Sequence, residues 1–217
     1  MSDDLDAILK HTRSLWEEFR NKHIFITGGT GFFGYWLLES FSHANHALQL
    51  NAHVTVLTRN ANTFKEKFPV LAHQPFIHYH EGDIRTFEFP AISFNYIIHA
   101  GNSTHPDIDE KEQLSTIVDG TERTLDLAKQ CEASKFLLVS SGAVYGKQPL
   151  TVSHLQEDMP FVRSEKESAY IKGKRLAEKL AEEYADHFSI KIARCFAFVG
   201  PLLPLDSHFA IGNFIQA

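Results

Sequence analysis

The feature that most constrains this chain of 217 residues lies near its start. There the apolar run His23-Ile24-Phe25-Ile26-Thr27 meets Gly28-Gly29-Thr30-Gly31-Phe32-Phe33-Gly34, and an amphipathic segment follows. A short apolar run bounded by glycine reads as a buried strand. The three spaced glycines have separate uses. Gly28 permits a tight turn, Gly31 lets the backbone approach a ligand, and Gly34 lets the following helix lie close to the strand. The helix start offers free N–H groups and a positive dipole end, which together suit a diphosphate. Glycines at this spacing are a weak signal alone and a strong one between a strand and a helix.

The alternation continues along the chain. Strands are expected at HVTVLTR, FIHYHEGD, NYIIHAG, KFLLVSS and IKIARCFAFV, with long helices over residues 107–131 and 164–187. Ser164 and Glu167 have the spacing of a capping box at the start of the second long helix. Continuous apolar runs such as IFIT, YIIHA and FLLV suit a parallel sheet covered on both faces. The expected fold is therefore α/β, a Rossmann-like doubly wound sheet. Ahead of it, Leu5, Ile8, Leu9, Thr12, Leu15, Trp16 and Phe19 form one helical stripe. This extra N-terminal helix is expected to pack on the domain or on a partner subunit.

Composition narrows the function. Net charge is −6 with mixed signs, and no basic block is present to neutralise a phosphate polymer, which argues against nucleic acid. No apolar run reaches the length of a membrane span, and the acidic start lacks the order of a secretion signal. Two cysteines, Cys131 and Cys195, are too few for a disulfide scaffold and read as ordinary thiols. A reducing cytoplasm is the expected location. Thirteen histidines invite a metal reading, yet His78 and His80 lack a companion Cys or carboxylate at ligand spacing, so no metal is expected. His105 lies near the expected mouth of the site.

Chemistry enters with Tyr170-Ile171-Lys172-Gly173-Lys174. Tyr170 and Lys174 stand one helical turn apart, on one face. A phenol is a poor base at neutral pH, and a neighbouring ammonium favours its ionised form. Ser141 stands at the end of the fifth strand, where open α/β sheets bind ligands, and its hydroxyl can hold a substrate hydroxyl against the tyrosine. After the second strand, the acid usual at an NAD ribose is replaced by Leu57-Thr58-Arg59-Asn60. Arg59 is either the partner of a 2′-phosphate, which leans toward NADP over NAD, or a solvated loop residue.

Together TGGTGFFG, GDI with Asp83, SSGAVYG, YIKGK and RCFAFVGP resemble the extended short-chain dehydrogenase/reductase family, in its NAD-dependent epimerase/dehydratase branch. The likeness runs from residue 23 to about 201. It implies that Gly28, Gly31 and Gly34 bind pyrophosphate, Asp83 the adenine, and Lys174 the nicotinamide ribose. It extends the cofactor contacts to Thr30, Phe32, Phe33, Ile84, His99, Ala100 and Gly101. The side chains of Phe32, Phe33, Tyr35 and Trp36 are expected to pack the helix. Tyr170 becomes the acid/base and Ser141 its hydroxyl partner. The implied chemistry is oxidation of a sugar hydroxyl on a nucleotide-sugar substrate, then return of the hydride to the other face. A homodimer through the two long helices is also implied.

Departures from the family accompany the likeness. Gly142-Ala143 stands where dehydratases carry an acid pair, so epimerisation is favoured. Ile117 and Ala197 each replace an expected Asn, and His99-Ala100-Gly101 replaces a more usual Ala-Ala pair. Three parts are expected: a helix over 1–22, an NAD(P)-binding domain over 23–201, and at 202–217 the start of a C-terminal substrate-binding portion that looks cut short. Three other readings remain open: a nucleotide-sugar dehydratase, an NADPH-dependent carbonyl reductase, and a cofactor-sensing regulator without enzymatic activity.

Overall fold

The computed structural model describes residues 2–102, 108–162, 164, 166–203 and 214. His105 and most of the segment after residue 203 lie outside these. Six apolar runs form strands β1 (His23–Thr27), β2 (His53–Thr58), β3 (Ile77–Glu81), β4 (Tyr96–His99), β5 (Lys135–Ser141) and β6 (Ser189–Cys195). They make one sheet in the order β3-β2-β1-β4-β5-β6, with every neighbouring pair parallel. All six carboxyl ends therefore lie along one edge. The order reverses between β1 and β4, the switch point at which doubly wound sheets bind ligands.

Alternation along the strands sends neighbouring side chains to opposite faces. Ile24, Ile26, Val54 and Val56 pack with Leu38 and Phe41 of α2 (Phe32–Leu48). Phe25, Ile97, Phe136 and Leu138 pack with residues of α5 (Glu110–Gln130) and α6 (Ala169–Glu183). Burying an aliphatic or aromatic side chain this fully stabilises the fold by about 1.5–3 kcal/mol each. Helix α1 (Ser2–Trp16) rests on α2, with Leu5 buried and Leu9, Trp16 and Phe19 against the same core. Of the expected stripe, Leu15 is 61% exposed instead.

Several boundaries differ from expectation. Between β2 and β3 the chain forms two short helices, α3 (Ala61–Lys67) and α4 (Pro69–Ala72), where no element was expected. Asn60 caps the first, its side chain accepting from the Asn62 N–H. Helix α5 begins at Glu110 because Asp109 accepts from the N–H groups of Lys111 and Glu112. Helix α6 begins at Ala169, capped by Ser168, and not at Ser164. Glu167 does accept from the Ser164 N–H, at 3.0 Å, but its carboxylate also takes Arg175 at 2.7 Å. This half of a capping box therefore folds a loop ahead of the helix. Strand β6 stops at Cys195, because Phe196 turns to stack on Tyr145 and Phe198 on Phe33.

Candidate cofactor and catalytic site

The glycine turn follows β1 directly and leads into α2. Gly28 has φ +72°, in the left-handed region that favours glycine. A Cβ there would also lie 2.5 Å from the Ala100 carbonyl oxygen at the end of β4. At Gly34 a Cβ would lie 2.2 Å from the Gly28 carbonyl oxygen, so the first turn of α2 rests on the loop itself. Gly31 is different. Its φ of −82° suits any residue, and the nearest atom to an added Cβ is 3.6 Å away. Nothing in the protein's own packing demands glycine at this exposed position. The open space beside it lies at the N-terminus of α2, which has no side-chain cap. Backbone N–H groups in the first turn of a helix lack intrahelical partners and point outward. Beside this turn, Asn102 Oδ1 is buried without a hydrogen-bond partner among the described residues. Free donors and an unfilled cradle fit a pyrophosphate-bearing cofactor.

The ends of β1 and β4 are joined by one directed chain of hydrogen bonds. The Thr121 hydroxyl donates to the Ile117 carbonyl at 2.6 Å, so its oxygen accepts the proton of His99 Nε2 at 3.0 Å. His99 Nδ1 must then accept from the Thr27 hydroxyl at 2.9 Å, whose oxygen accepts the Gly101 N–H at 2.8 Å. These donors assign one neutral tautomer to His99. Burial, and then the charge of Lys174, pushes this imidazole down to about 3. His99 was expected beside the cofactor. Its side chain, 2% exposed, is a strut inside the switch point, and Ala100 and Gly101 carry the backbone along the turn. Ile84 packs over Gly101 and Gly120 as a wall between β4 and α5. Thr30, Phe32 and Phe33 follow the turn half-buried, and Phe33 stacks on Phe198 with ring centres 5.1 Å apart.

Just beyond β3, Arg85 holds both oxygens of Asp83, Nε on Oδ1 at 2.8 Å and Nη2 on Oδ2 at 2.9 Å. These hydrogen bonds hold the Asp83 carboxyl below the usual range, against the opposing effect of burial. Arg59 follows β2 and is exposed, and its charge lowers Asp83 further. Neither the Asp83–Arg85 pair nor its place beside Arg59 was read from the sequence, although an acid and a base two residues apart were visible there.

On the other side of the switch point, Ser141 ends β5 and its hydroxyl accepts the Ala143 N–H at 3.2 Å, capping a 3-10 turn over Gly142–Tyr145. Lys174 is 4% exposed, and its ammonium donates to the Val139 carbonyl of β5 at 2.9 Å. The ring centre of Tyr170, one turn earlier on α6, lies 5.9 Å from that ammonium. Burial lowers Lys174 to about 8, with Cys195 and Glu178 opposing the fall. Helix α6 is thus pinned to β5 two residues before Ser141.

The departures from the family also find physical reasons. A Cβ on Gly142 would lie 2.5 Å from the Phe196 ring, so a side chain there would have to displace that ring. Ile117 is buried where α5 meets Gly173 of α6, an apolar contact in place of a polar one. Burial raises both thiols, Cys131 and Cys195. His53 Nδ1 lies 3.1 Å from His78 Nε2, and His80 Nε2 meets the Glu88 carbonyl at 2.7 Å. Among the described residues no group of three metal-ligating side chains has the geometry to hold an ion, and no helix is long and apolar enough to cross a membrane.

Fold and turn together define a dinucleotide-binding α/β protein of the Rossmann type. Comparison with known proteins narrows this: the profile of the NAD dependent epimerase/dehydratase family matches residues 24–216, and the chain belongs to that family. UDP-glucuronic acid decarboxylase 6 of Arabidopsis thaliana is 30% identical over 208 residues, 90% of this chain and 56% of that protein. UDP-glucuronic acid decarboxylase 1 of Xenopus tropicalis is 27% identical over 202 residues, 89% of this chain and 45% of that protein. This chain therefore spans about half the length of these relatives. Among solved structures, UDP-glucuronic acid 4-epimerase from Bacillus cereus in complex with NAD has a TM-score of 0.70 at 22% identity, covering 85% of this chain and 60% of that one. A dTDP-glucose 4,6-dehydratase from Streptomyces venezuelae, with NAD bound, has a TM-score of 0.71 at 22% identity, covering 89% and 62%. These likenesses share the fold.

Two outcomes test this geometry. The His99 imidazole is depressed in the fold, so the unfolded chain binds more protons once the pH falls below the ordinary histidine value near 6.5. Its contribution is complete above that value and is lost as the pH falls toward 3. Chemical denaturation of the wild type and His99→Gln should show the wild type losing about 3 kcal/mol more between pH 7 and pH 4. Equal slopes count against the strut. Separately, Gly31→Ala should leave the melting temperature within about 2 °C while weakening NADH binding at least tenfold, whereas Gly34→Ala should melt several degrees lower. Calorimetry and fluorescence titration of the two variants check this.

Proposed function

We propose that this chain forms the cofactor-binding part of an NAD(P)-dependent enzyme that remodels a nucleotide-linked sugar by transient oxidation, with epimerisation favoured over dehydration. One observation carries the reading. Lys174 is anchored on the Val139 carbonyl at 2.9 Å, two residues before Ser141, with the Tyr170 ring centre 5.9 Å from its ammonium. In this reading Gly28, Gly31 and Gly34 receive the pyrophosphate with the first turn of α2, Asp83 accepts from the adenine, and Lys174 holds the nicotinamide ribose.

Ser141 positions a sugar hydroxyl, and Tyr170 takes its proton with the Lys174 ammonium favouring the phenolate. A bound nicotinamide supplies the acceptor for the hydride that leaves the same carbon. Tyr170 returns the proton when the hydride comes back to the other face. Gly142 and Ala143 offer no group to transfer a proton, which disfavours loss of water. The names of the relatives support a nucleotide-sugar substrate, whose nucleotide supplies binding energy remote from the reacting carbon.

The same names support a second reading, decarboxylation of a nucleotide-linked uronic acid. Oxidation at C4 makes the carboxyl group on C5 a β-keto acid. The bond between C5 and the carboxyl carbon then breaks, CO2 leaves, and C5 takes a proton before the hydride returns to C4. This route also needs no acid pair at 142–143.

Two experiments test these readings. Proton NMR of nucleotide sugars incubated with the full-length gene product should show an epimer or a decarboxylated pentose, and Tyr170→Phe should lower kcat by at least a hundredfold. Activity within a few-fold of wild type rejects the acid/base role. For the cofactor, Arg59 is the exposed cation placed after β2, so NADPH should bind more tightly than NADH. Arg59→Ala should remove most of that difference, and indifference of the variant assigns Arg59 to solvent.

A further inference from the structure

One turn beyond Lys174, α6 buries a carboxylate: Glu178 is 3% exposed. Its hydrogen bonds run to two strands. Ser140 of β5 donates its hydroxyl to Oε1 at 2.5 Å. Arg194 of β6 grips both oxygens, with Nη2 on Oε2 at 2.9 Å and Nε on Oε1 and Oε2 at 3.1 and 3.2 Å. The remaining Arg194 nitrogen, Nη1, donates to the Tyr145 hydroxyl at 2.9 Å and to the Glu157 carbonyl at 2.7 Å. The guanidinium also lies 4.8 Å from the Tyr145 ring centre and 5.1 Å from that of Phe161. As a source of stability a buried ion pair is a poor bargain, because desolvation offsets most of the attraction. Its placement is more telling. Ser140 immediately precedes Ser141, Tyr145 closes the turn that Ser141 caps, and Glu178 shares a helix face with Lys174 and Tyr170.

We propose that Glu178, held between Ser140 and Arg194, is a positioning residue that keeps the buried Lys174 charged and fixes Ser141 relative to α6. The proposal rests on the reading of Ser141, Tyr170 and Lys174 given above. Lys174 is out of water, where the neutral amine is favoured. The groups that face it come from every neighbouring element. Tyr170 lies one turn earlier on α6, neutral His99 comes from β4, and Cys195 from β6, while α5 meets this stretch of α6 through uncharged Ile117. Glu178 and Cys195 favour the ammonium, and burial keeps the Cys195 thiol protonated. Among the described residues Glu178 is thus the carboxylate placed to hold the proton on Lys174. Arg194 moderates this charge and aims it, so removing Glu178 alone also leaves an unpaired cation near the amine.

The test is the pH dependence of NADH binding by this chain, with the Lys174 side chain followed by NMR in a lysine-Cε-labelled sample. In the wild type, affinity should fall above about pH 8 as Lys174 loses its proton. Glu178→Gln should move that midpoint down by at least one pH unit. Its affinity at pH 8 then falls at least about fivefold relative to wild type, while at pH 6 the two agree within about twofold. A purely structural role would weaken binding equally at every pH, and that result overturns the proposal. If the unpaired Arg194 prevents Glu178→Gln from folding, the double variant Glu178→Gln/Arg194→Met removes both charges, and its midpoint should move in the same direction by less. An unmoved midpoint in a folded variant overturns the proposal while leaving the cofactor reading intact. Failure of the wild type to bind either NADH or NADPH at any pH overturns the cofactor reading, and the Lys174 NMR titration then tests the effect of Glu178 without a cofactor.

Discussion

The contact between the glycine turn and the end of β4 is the constraint on which the site depends. Gly28 has its Cα against the Ala100 carbonyl, and the Thr27–His99–Thr121 chain fixes the same two strand ends from within. The crevice of a doubly wound sheet opens where neighbouring connections leave in opposite directions. Here the two sides of that opening are held together by hydrogen bonds whose protons have a single consistent arrangement. A protonated imidazole has two donors and no acceptor, so it cannot complete this chain. The low proton affinity of His99 and the rigidity of the switch point are therefore one property.

The two halves of the site are stabilised differently. On the β1 side, glycines bring backbone close to backbone and leave N–H groups facing outward. On the β5 side, buried polar side chains do the positioning: Lys174 on the Val139 carbonyl, Ser140 on Glu178, Glu178 on Arg194. The first half suits an anion that arrives with its own charge. The second suits a phenol and a hydroxyl held at fixed positions beside a cation. Groups whose hydrogen bonds already exist before a ligand arrives cost less to organise when it does.

Much of this was legible in the sequence because it rests on local patterns. Apolar runs between glycines located all six strands, and the spacing of Gly28, Gly31 and Gly34 located the turn. The errors fell where tertiary contacts decide. Leu15 fits a helical stripe but faces solvent, while Leu9, Trp16 and Phe19 pack against the core. Strand β6 was drawn four residues too long, since Phe196 and Phe198 are strand-like in composition and are claimed by Tyr145 and Phe33. Helices α3 and α4 were missed because seven and four residues are too short to show a period. The Glu178–Arg194 pair had one visible trace, a glutamate on the apolar stripe of α6 beside Ala177 and Ala181. Its partner, 16 residues later, is brought to it only by the sheet.

Strand β6 forms one border of the sheet among the described residues, paired along β5 and open along its other side. An open border presents unpaired amide and carbonyl groups to any extended chain that arrives, and charged side chains are the usual deterrent. Of the charges on β6, Arg194 is turned into Glu178, which leaves Lys191 as the guard. The residue that grips Glu178 is thereby withdrawn from defence of the border. Among the described residues, this border is where a further strand would pair.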